Sequence, residues 1–276
     1  MAPKTLYISD LDGTLLRWDQ TLSPYTVETL NRLIGQGMCF SYATARSFVT
    51  AKAVTEGLSA HVPAIVYNGS FIIEQGSGKR LCTNAFCGAD GKAILDYLIE
   101  REVYPIVYAF VDGKERYSWC PHLESRGTAI FNHTRRGDVR ENPVSDLSYL
   151  YRGEIFHFTC IDEEEKLRPI YEYFREKFPC VFHIDVYSGE QWLEIQPHGA
   201  TKAEAILKLK EMLGCNRIIC FGDGKNDISM FEIADECYAM ANAEDELKAI
   251  ATAVIDSNEA DGVARYLAET FVPERS

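Results

Sequence analysis

The sequence predicts an α/β protein, a Rossmann-like parallel-sheet core that carries an inserted α+β domain. Three observations predict it. Short apolar, β-rich runs alternate with segments of helical spacing near both ends of the chain. That alternation lapses between about residues 82 and 192 and resumes at Lys202. Three of the apolar runs stop abruptly in polar clusters: Asp10-Leu-Asp-Gly-Thr14, Ala43-Thr-Ala-Arg46 and Gly222-Asp-Gly-Lys-Asn-Asp227.

The first run, residues 5–9, reads Thr-Leu-Tyr-Ile-Ser and gives a buried strand feeding a loop in which Gly13 supplies turn freedom. Ser23-Pro24 starts a helix, proline being suited to the first turn, and Val27, Leu30, Leu33 and Ile34 keep helical spacing until Gly35 and Gly37. A second strand is expected at 38–42, a helix at about 47–58 and a strand at 64–67 closed by Asn68-Gly69. In the middle stretch, strand-like runs at 106–111, 155–160 and 181–186 alternate with helical ones at 91–101 and 163–178. After Lys202 come a helix at 203–213, a strand at 217–221, the polar loop 222–227, and a helix to about 234. A strand at 237–240, a helix at 244–251 and a strand at 253–255 complete the rhythm. The expected division is a core of residues 1–83 and 191–276, with residues 84–190 as a separate α+β domain. Residues 273–276 read as a frayed tail.

Charge narrows the partners. The chain has 28 Lys and Arg against 41 Asp and Glu, a formal net charge of −13. That balance repels a phosphate backbone, and no Lys/Arg run exceeds a pair such as Arg135-Arg136, so nucleic acid is not expected. An anionic substrate needs a locally cationic pocket. The nine cysteines are odd in number, scattered and without a CxxC pair, and read as reduced thiols. Asp10 interrupts the N-terminal region before any run long enough for a signal peptide, and no stretch of about 18 apolar residues occurs. A cytoplasmic protein without a membrane partner is expected.

In open parallel sheets, ligands bind beyond the carboxyl ends of the strands, so the three polar clusters are placed to converge although they lie far apart in sequence. Carboxylates with an Asn amide make a hard oxygen set, suited to Mg²⁺ rather than zinc.

These residues carry a resemblance. In this order, Asp10-Leu-Asp-Gly-Thr14, Ala43-Thr-Ala-Arg46, Lys202 and Gly222-Asp-Gly-Lys-Asn-Asp227 resemble the four motifs of the haloacid dehalogenase-like (HAD) phosphohydrolases. Met240-Ala-Asn-Ala243 followed by Ser257-Asn-Glu-Ala-Asp-Gly-Val263 is similar to the Cof-type subgroup, whose type IIB cap is inserted where the βα rhythm lapses here. That family commonly has Thr-Gly-Arg at the second motif, and here Ala45 stands for the glycine.

The resemblance implies that Asp10 is the nucleophile that becomes an aspartyl-phosphate and that Asp12 is the acid and then the base. It implies that Thr44 and Lys202 stabilise the transferred phosphoryl group. Mg²⁺ would be held by the Asp10 carboxylate, the Asp12 carbonyl and Asp223, with Asp227 in support. Gly13, Ala45, Arg46, Asn68 and Asn226 fall around the phosphate. Arg46 either reaches the phosphate or braces its loop, and Asn68-Gly69 is either the family's pair at the cap entrance or a tight turn. Tyr187, Glu190 and Trp192 precede re-entry into the core, where they either meet a sugar or serve as packing residues. The implied activity is a Mg²⁺-dependent phosphatase of small phosphorylated metabolites, sugar phosphates foremost, in a monomer or weak homodimer. A phosphotransferase or phosphomutase would use the same aspartyl-phosphate, and a non-catalytic metabolite-binding regulator is opposed by the presence of all four motifs.

Overall fold

Five short strands, Thr5–Ser9, Cys39–Tyr42, Arg217–Gly222, Glu236–Met240 and Ala253–Ile255, make one sheet in which every neighbour runs parallel. Across the sheet their order is 253–255, 236–240, 217–222, 5–9, 39–42. The two central strands are almost wholly apolar, and Leu6, Ile8, Ile218, Cys220 and Phe221 have no exposure. A parallel strand covered on both faces has no solvent side on which to place polar residues. In the computed structural model, which describes residues 4–59, 61–185 and 189–273, this sheet belongs to a unit formed by Met1–Thr83 and Gly199–Ser276.

Three helices of this unit start where a hydroxyl is available to close them. Ser23, Ser47 and Thr201 accept the N–H groups of Thr26, Thr50 and Glu204 at 3.0, 3.1 and 3.2 Å, opening helices Pro24–Gly35, Phe48–Val54 and Lys202–Leu213. Each such cap contributes about 1 kcal/mol. Gly214, at φ 63°, ends the last of them in the left-handed turn that glycine adopts at little cost.

The run at 64–67 departs from expectation. Strand Ala64–Val66 meets the parallel sheet through one bridge, Ala43 to Ile65, and otherwise pairs antiparallel with Phe71–Ile73, which pairs in turn with Arg80–Thr83. The sharp reversal at Asn68-Gly69 returns the chain alongside itself, so the next strand pairs with this one rather than crossing over a helix.

The second unit is Asn84–His198. Its six-stranded sheet runs in the order Cys180–Ile184, Gln191–Ile195, Glu154–Ile161, Ile106–Val111, Lys114–Trp119, Glu141–Pro143, antiparallel except for the last pair. Helices Gly88–Ile99 and Glu164–Phe174 supply Ile94, Leu95, Leu98, Leu167, Ile170 and Phe174 to a core shared with Phe158, Cys160, Leu193 and Ile195. Residues 191–198, expected in the core domain, therefore belong to this unit. Leu193 and Ile195 alternate with Trp192 and Glu194, and that alternation marks a strand whose apolar side fills this core. Val186 and Tyr187, part of the expected strand and of the expected substrate-facing residues, lie outside the described residues, as do residues 274–276. Among the described residues no helix is long and apolar enough to cross a membrane.

Candidate active site

Asp10 stands at the carboxyl end of the first strand, and its N–H continues the ladder to Phe221 C=O at 2.9 Å. The chain then makes one wide turn, closed by Leu16 N–H on Leu11 C=O at 2.8 Å, which buries Leu11 and Leu15. Gly13 takes φ 71° within it, and a Cβ there would overlap the Asp223 carboxylate. The next residue, Thr14, donates its hydroxyl to Asp223 Oδ1 at 2.7 Å. Glycine freedom and a threonine hydroxyl thus seat an acid more than two hundred residues away in sequence.

Lys202 opens its helix immediately after the Thr201 cap, and its side chain is 1% exposed. Nζ lies 2.9 Å from Asp10 Oδ1 and 2.7 Å from Asp227 Oδ1. Asp227 is fully engaged, since its Oδ2 accepts the N–H groups of Asp223 and Gly224 at 2.9 and 3.1 Å. Carboxylate oxygens of Asp10, Asp223 and Asp227 all lie within 4.8 Å of one another. Burial, outweighed by the charges of Asp10 and Asp227, leaves Lys202 above its ordinary value and protonated. Burial first, then Asp227 and Asp223, raises Asp10 against the pull of Lys202. Burial and then Asp227 push Asp223 up to about 7. One ammonium does not neutralise three crowded carboxylates, and this oxygen-only donor set with excess negative charge fits a hard divalent cation.

The second polar cluster is held from the other side. Tyr67, Asn68 and Gly69 take φ values of 50°, 51° and 108°, three left-handed residues in succession. Tyr67 N–H donates to Arg46 C=O at 3.0 Å and Asn68 N–H to Thr44 C=O at 2.9 Å. A Cβ on Gly69 would overlap the Thr201 carbonyl, so the knot also abuts the start of the Lys202 helix. Thr44 is fully buried and its hydroxyl accepts Arg46 N–H at 3.1 Å. Asn68 is buried, and its Oδ1 has no partner among the described residues. Ala45 is exposed and outside the left-handed region, so the backbone here does not require the glycine that the family commonly carries. Asn226 folds over Gly224, whose Cβ position lies 2.8 Å from Asn226 Oδ1.

Arg46 is committed to Asp12. Its Nε donates to Oδ2 at 2.7 Å and its Nη2 to Oδ1 at 2.5 Å, and Nη2 also reaches Gln20 Oε1 at 2.8 Å. Asp12 thus faces a guanidinium, and its side chain is one-third exposed at 34%.

Further residues brace the site without having been singled out for it by the sequence. Asn242 Nδ2 donates to Gly13 C=O at 2.7 Å, and Asn258 donates its Nδ2 to Leu16 C=O at 3.0 Å and its N–H to Asn242 Oδ1 at 3.1 Å. Asp261 pairs with Arg17 at 3.0 Å. All three brace residues lie in the two stretches that resemble the Cof-type tail, and the resemblance was the only signal that marked them.

A parallel α/β sheet with acids and a buried lysine gathered at its strand ends, together with a separate α+β unit inserted in the chain, defines a hydrolase of the HAD type. The chain matches the haloacid dehalogenase-like hydrolase family over residues 7–267 and belongs to it. Among curated proteins it is 29% identical to the 5-amino-6-(5-phospho-D-ribitylamino)uracil phosphatase YitU of Bacillus subtilis, covering 95% of this chain and 96% of the relative. It is 31% identical to the putative phosphatase YkrA of the same organism, covering 96% of each, and 25% identical to the pyridoxal phosphate phosphatase YbhA of Escherichia coli, covering 94% and 95%. In fold it is similar to a haloacid dehalogenase-like hydrolase from Bacillus subtilis, with a TM-score of 0.78, 21% identity and coverage of 98% and 100%. A second such hydrolase, from Bacteroides thetaiotaomicron, gives a TM-score of 0.77, 22% identity and coverage of 97% and 99%.

Proposed function

We propose that this chain is a Mg²⁺-dependent phosphatase that hydrolyses small phosphorylated metabolites through an aspartyl-phosphate on Asp10. The observation that carries the reading is the Asp10 carboxylate at the strand end, 2.9 Å from the buried Lys202 ammonium, with Asp12 two residues on. Asp10 Oδ attacks phosphorus in line, the bond to the leaving oxygen breaks, and Asp12 delivers the proton that oxygen needs. Water then attacks the aspartyl-phosphate, Asp12 takes its proton, and inorganic phosphate leaves Asp10 regenerated. Lys202, the Thr44 hydroxyl and the N-terminus of helix Lys202–Leu213 oppose the charge that spreads over the phosphoryl oxygens. Asp10, Asp223 and the Asp12 carbonyl would hold Mg²⁺, with Asp227 in support, and the ion would offset repulsion between these acids and the substrate phosphate.

Sugar phosphates are the proposed substrate class. The name of the YitU relative supports it, because that substrate carries a 5-phospho-D-ribityl group, a phosphorylated sugar alcohol. The name of the YbhA relative adds pyridoxal phosphate to the set that should be tried. The test is phosphate release from sugar phosphates, both of those compounds, nucleotides and 4-nitrophenyl phosphate, with Mg²⁺ or chelator, beside Asp10→Asn. Mg²⁺-dependent release that the variant lacks is expected. Product isomers without free phosphate would instead indicate phosphotransfer.

A further inference from the structure

The chain after the catalytic strand returns on itself in a tight turn. Arg17 N–H donates to Thr21 C=O at 3.0 Å and Gln20 N–H to Arg17 C=O at 2.9 Å, while Asp19 Oδ1 accepts the N–H and hydroxyl of Thr21 at 3.0 and 2.7 Å. The base of this turn is fixed to the C-terminal part of the unit. Asn258 holds the Leu16 carbonyl, Glu259 Oε1 accepts Trp18 N–H at 2.7 Å, and Arg17 pairs with Asp261. On this anchored turn Gln20 takes φ 62°, a conformation that side-chain-bearing residues avoid. What the strained residue achieves is contact: its Oε1 accepts from Arg46 Nη2 at 2.8 Å.

The same nitrogen donates to Asp12 Oδ1, and Arg46 Nε completes the fork on Oδ2. Two parallel N–H···O bonds fix a carboxylate in a plane and leave its other lone pairs available. An arginine side chain has several rotatable bonds, so each contact on its guanidinium limits how far it and the carboxylate swing together. The Gln20 contact is made from a turn that is itself anchored, and it restrains that motion.

We propose that Gln20 is a positioning residue for the general acid: by holding Arg46 it sets the plane of the Asp12 carboxylate and thereby the transfer of a proton to the leaving oxygen. The inference rests on the phosphatase reading of Asp12. It makes a distinction that a purely structural role would not make. An alkoxide leaving group needs a proton as the P–O bond breaks, whereas 4-nitrophenolate leaves without one.

The experiment is rapid-quench measurement of phosphoryl transfer to Asp10 in the full chain, with glycerol 2-phosphate and 4-nitrophenyl phosphate, for wild type, Gln20→Ala and Gln20→Glu. Misplacing a general acid costs part of its ~10²–10⁴-fold contribution, so Gln20→Ala should slow transfer from glycerol 2-phosphate about tenfold and from 4-nitrophenyl phosphate less than about twofold. KM should move less than about twofold. Gln20→Glu keeps an acceptor oxygen at the same reach and should restore the rate. Equal slowing on both substrates, a change confined to KM, or no change in Gln20→Ala overturns the proposal. A wild-type enzyme that releases no phosphate from any member of the wider substrate panel, or an Asp10→Asn variant that remains active, overturns the phosphatase reading and this inference with it. Gln20 is exposed on its turn, so the variants are expected to fold, which circular dichroism checks.

Discussion

The two halves of the proposed catalytic machinery are built to different standards. Around Asp10 the charges are buried and cross-braced: Lys202 is 1% exposed and spans Asp10 and Asp227, while Asp227 also holds the backbone of the loop carrying Asp223. Around Asp12 the side chain is one-third exposed and is held by Arg46. As the proposed nucleophile, Asp10 must meet phosphorus at one fixed place, and a buried lattice of partners fixes it. In the proposed mechanism Asp12 gives a proton to the leaving oxygen and then takes one from water, and a partly open position suits both tasks.

That contrast predicts where substitutions hurt. Asp10→Asn removes the attacking charge and should lower turnover by at least about a thousand-fold, in the range seen when a covalent nucleophile is lost. Because the amide still offers an oxygen to Lys202, the circular dichroism spectrum should stay that of wild type. Residual turnover near the wild-type rate in a folded variant would refute the assignment.

Lys202→Met leaves Asp10 and Asp227 without their shared cation. Breaking a buried pair by removing one partner costs about 3–5 kcal/mol, to be read from urea unfolding in chelator. A loss under about 1 kcal/mol would mean that this side of the site is not the buried lattice described above.

Asp223 gives a pH signature. Its folded-state value lies near 7, raised from an ordinary 3.8 by burial and Asp227. Between those values the folded protein binds more protons at this group than the unfolded chain does, so this group's contribution to stability falls as pH rises through the window. In chelator, wild type should therefore lose stability from about pH 4 to 7, by on the order of 1 kcal/mol or more, relative to Asp223→Asn. Parallel stability curves for the two proteins would contradict the assignment. Added Mg²⁺ should flatten the difference by favouring the charged carboxylates.

Arg46→Met, on the open side, should cost at most about 1 kcal/mol of stability, because partly exposed ion pairs contribute little. Turnover should fall nonetheless. A stability loss as large as that of Lys202→Met would erase the contrast between the two halves.

Much of this site is legible in the sequence because strand ends are legible. An apolar run that stops at Asp10, Thr44 or Asp223 announces both the strand and the end on which ligands bind, and a parallel sheet brings such ends together whatever their separation in the chain. Lys202 owes its proposed role to motif order alone, since one lysine has no periodic signal. What stays illegible is partner choice. Nothing in the spacing says that Arg46 turns to Asp12, that Gln20 adopts a left-handed backbone to meet it, or that Asn242 and Asn258 hold the carbonyls of Gly13 and Leu16. The same limit explains Gln191–Ile195: its alternation identifies a half-buried strand but not whose core it fills, and the sheet with Glu154–Ile161 decides that.

The interruption of the core bears on how the chain comes off the ribosome. Strand Thr5–Ser9 lies between Cys39–Tyr42 and Arg217–Gly222, and the second neighbour is synthesised only after the whole of Asn84–His198. At a translation rate of about 5–20 residues per second, the nascent first segment waits many seconds with one edge of its central strand unpaired. During that wait Asp10 has neither Lys202 nor Asp227 beside it, while the inserted unit, contiguous in sequence, has all of its own strands. The charges of Asp10, Lys202 and Asp227 therefore come together only after the whole inserted unit has been made.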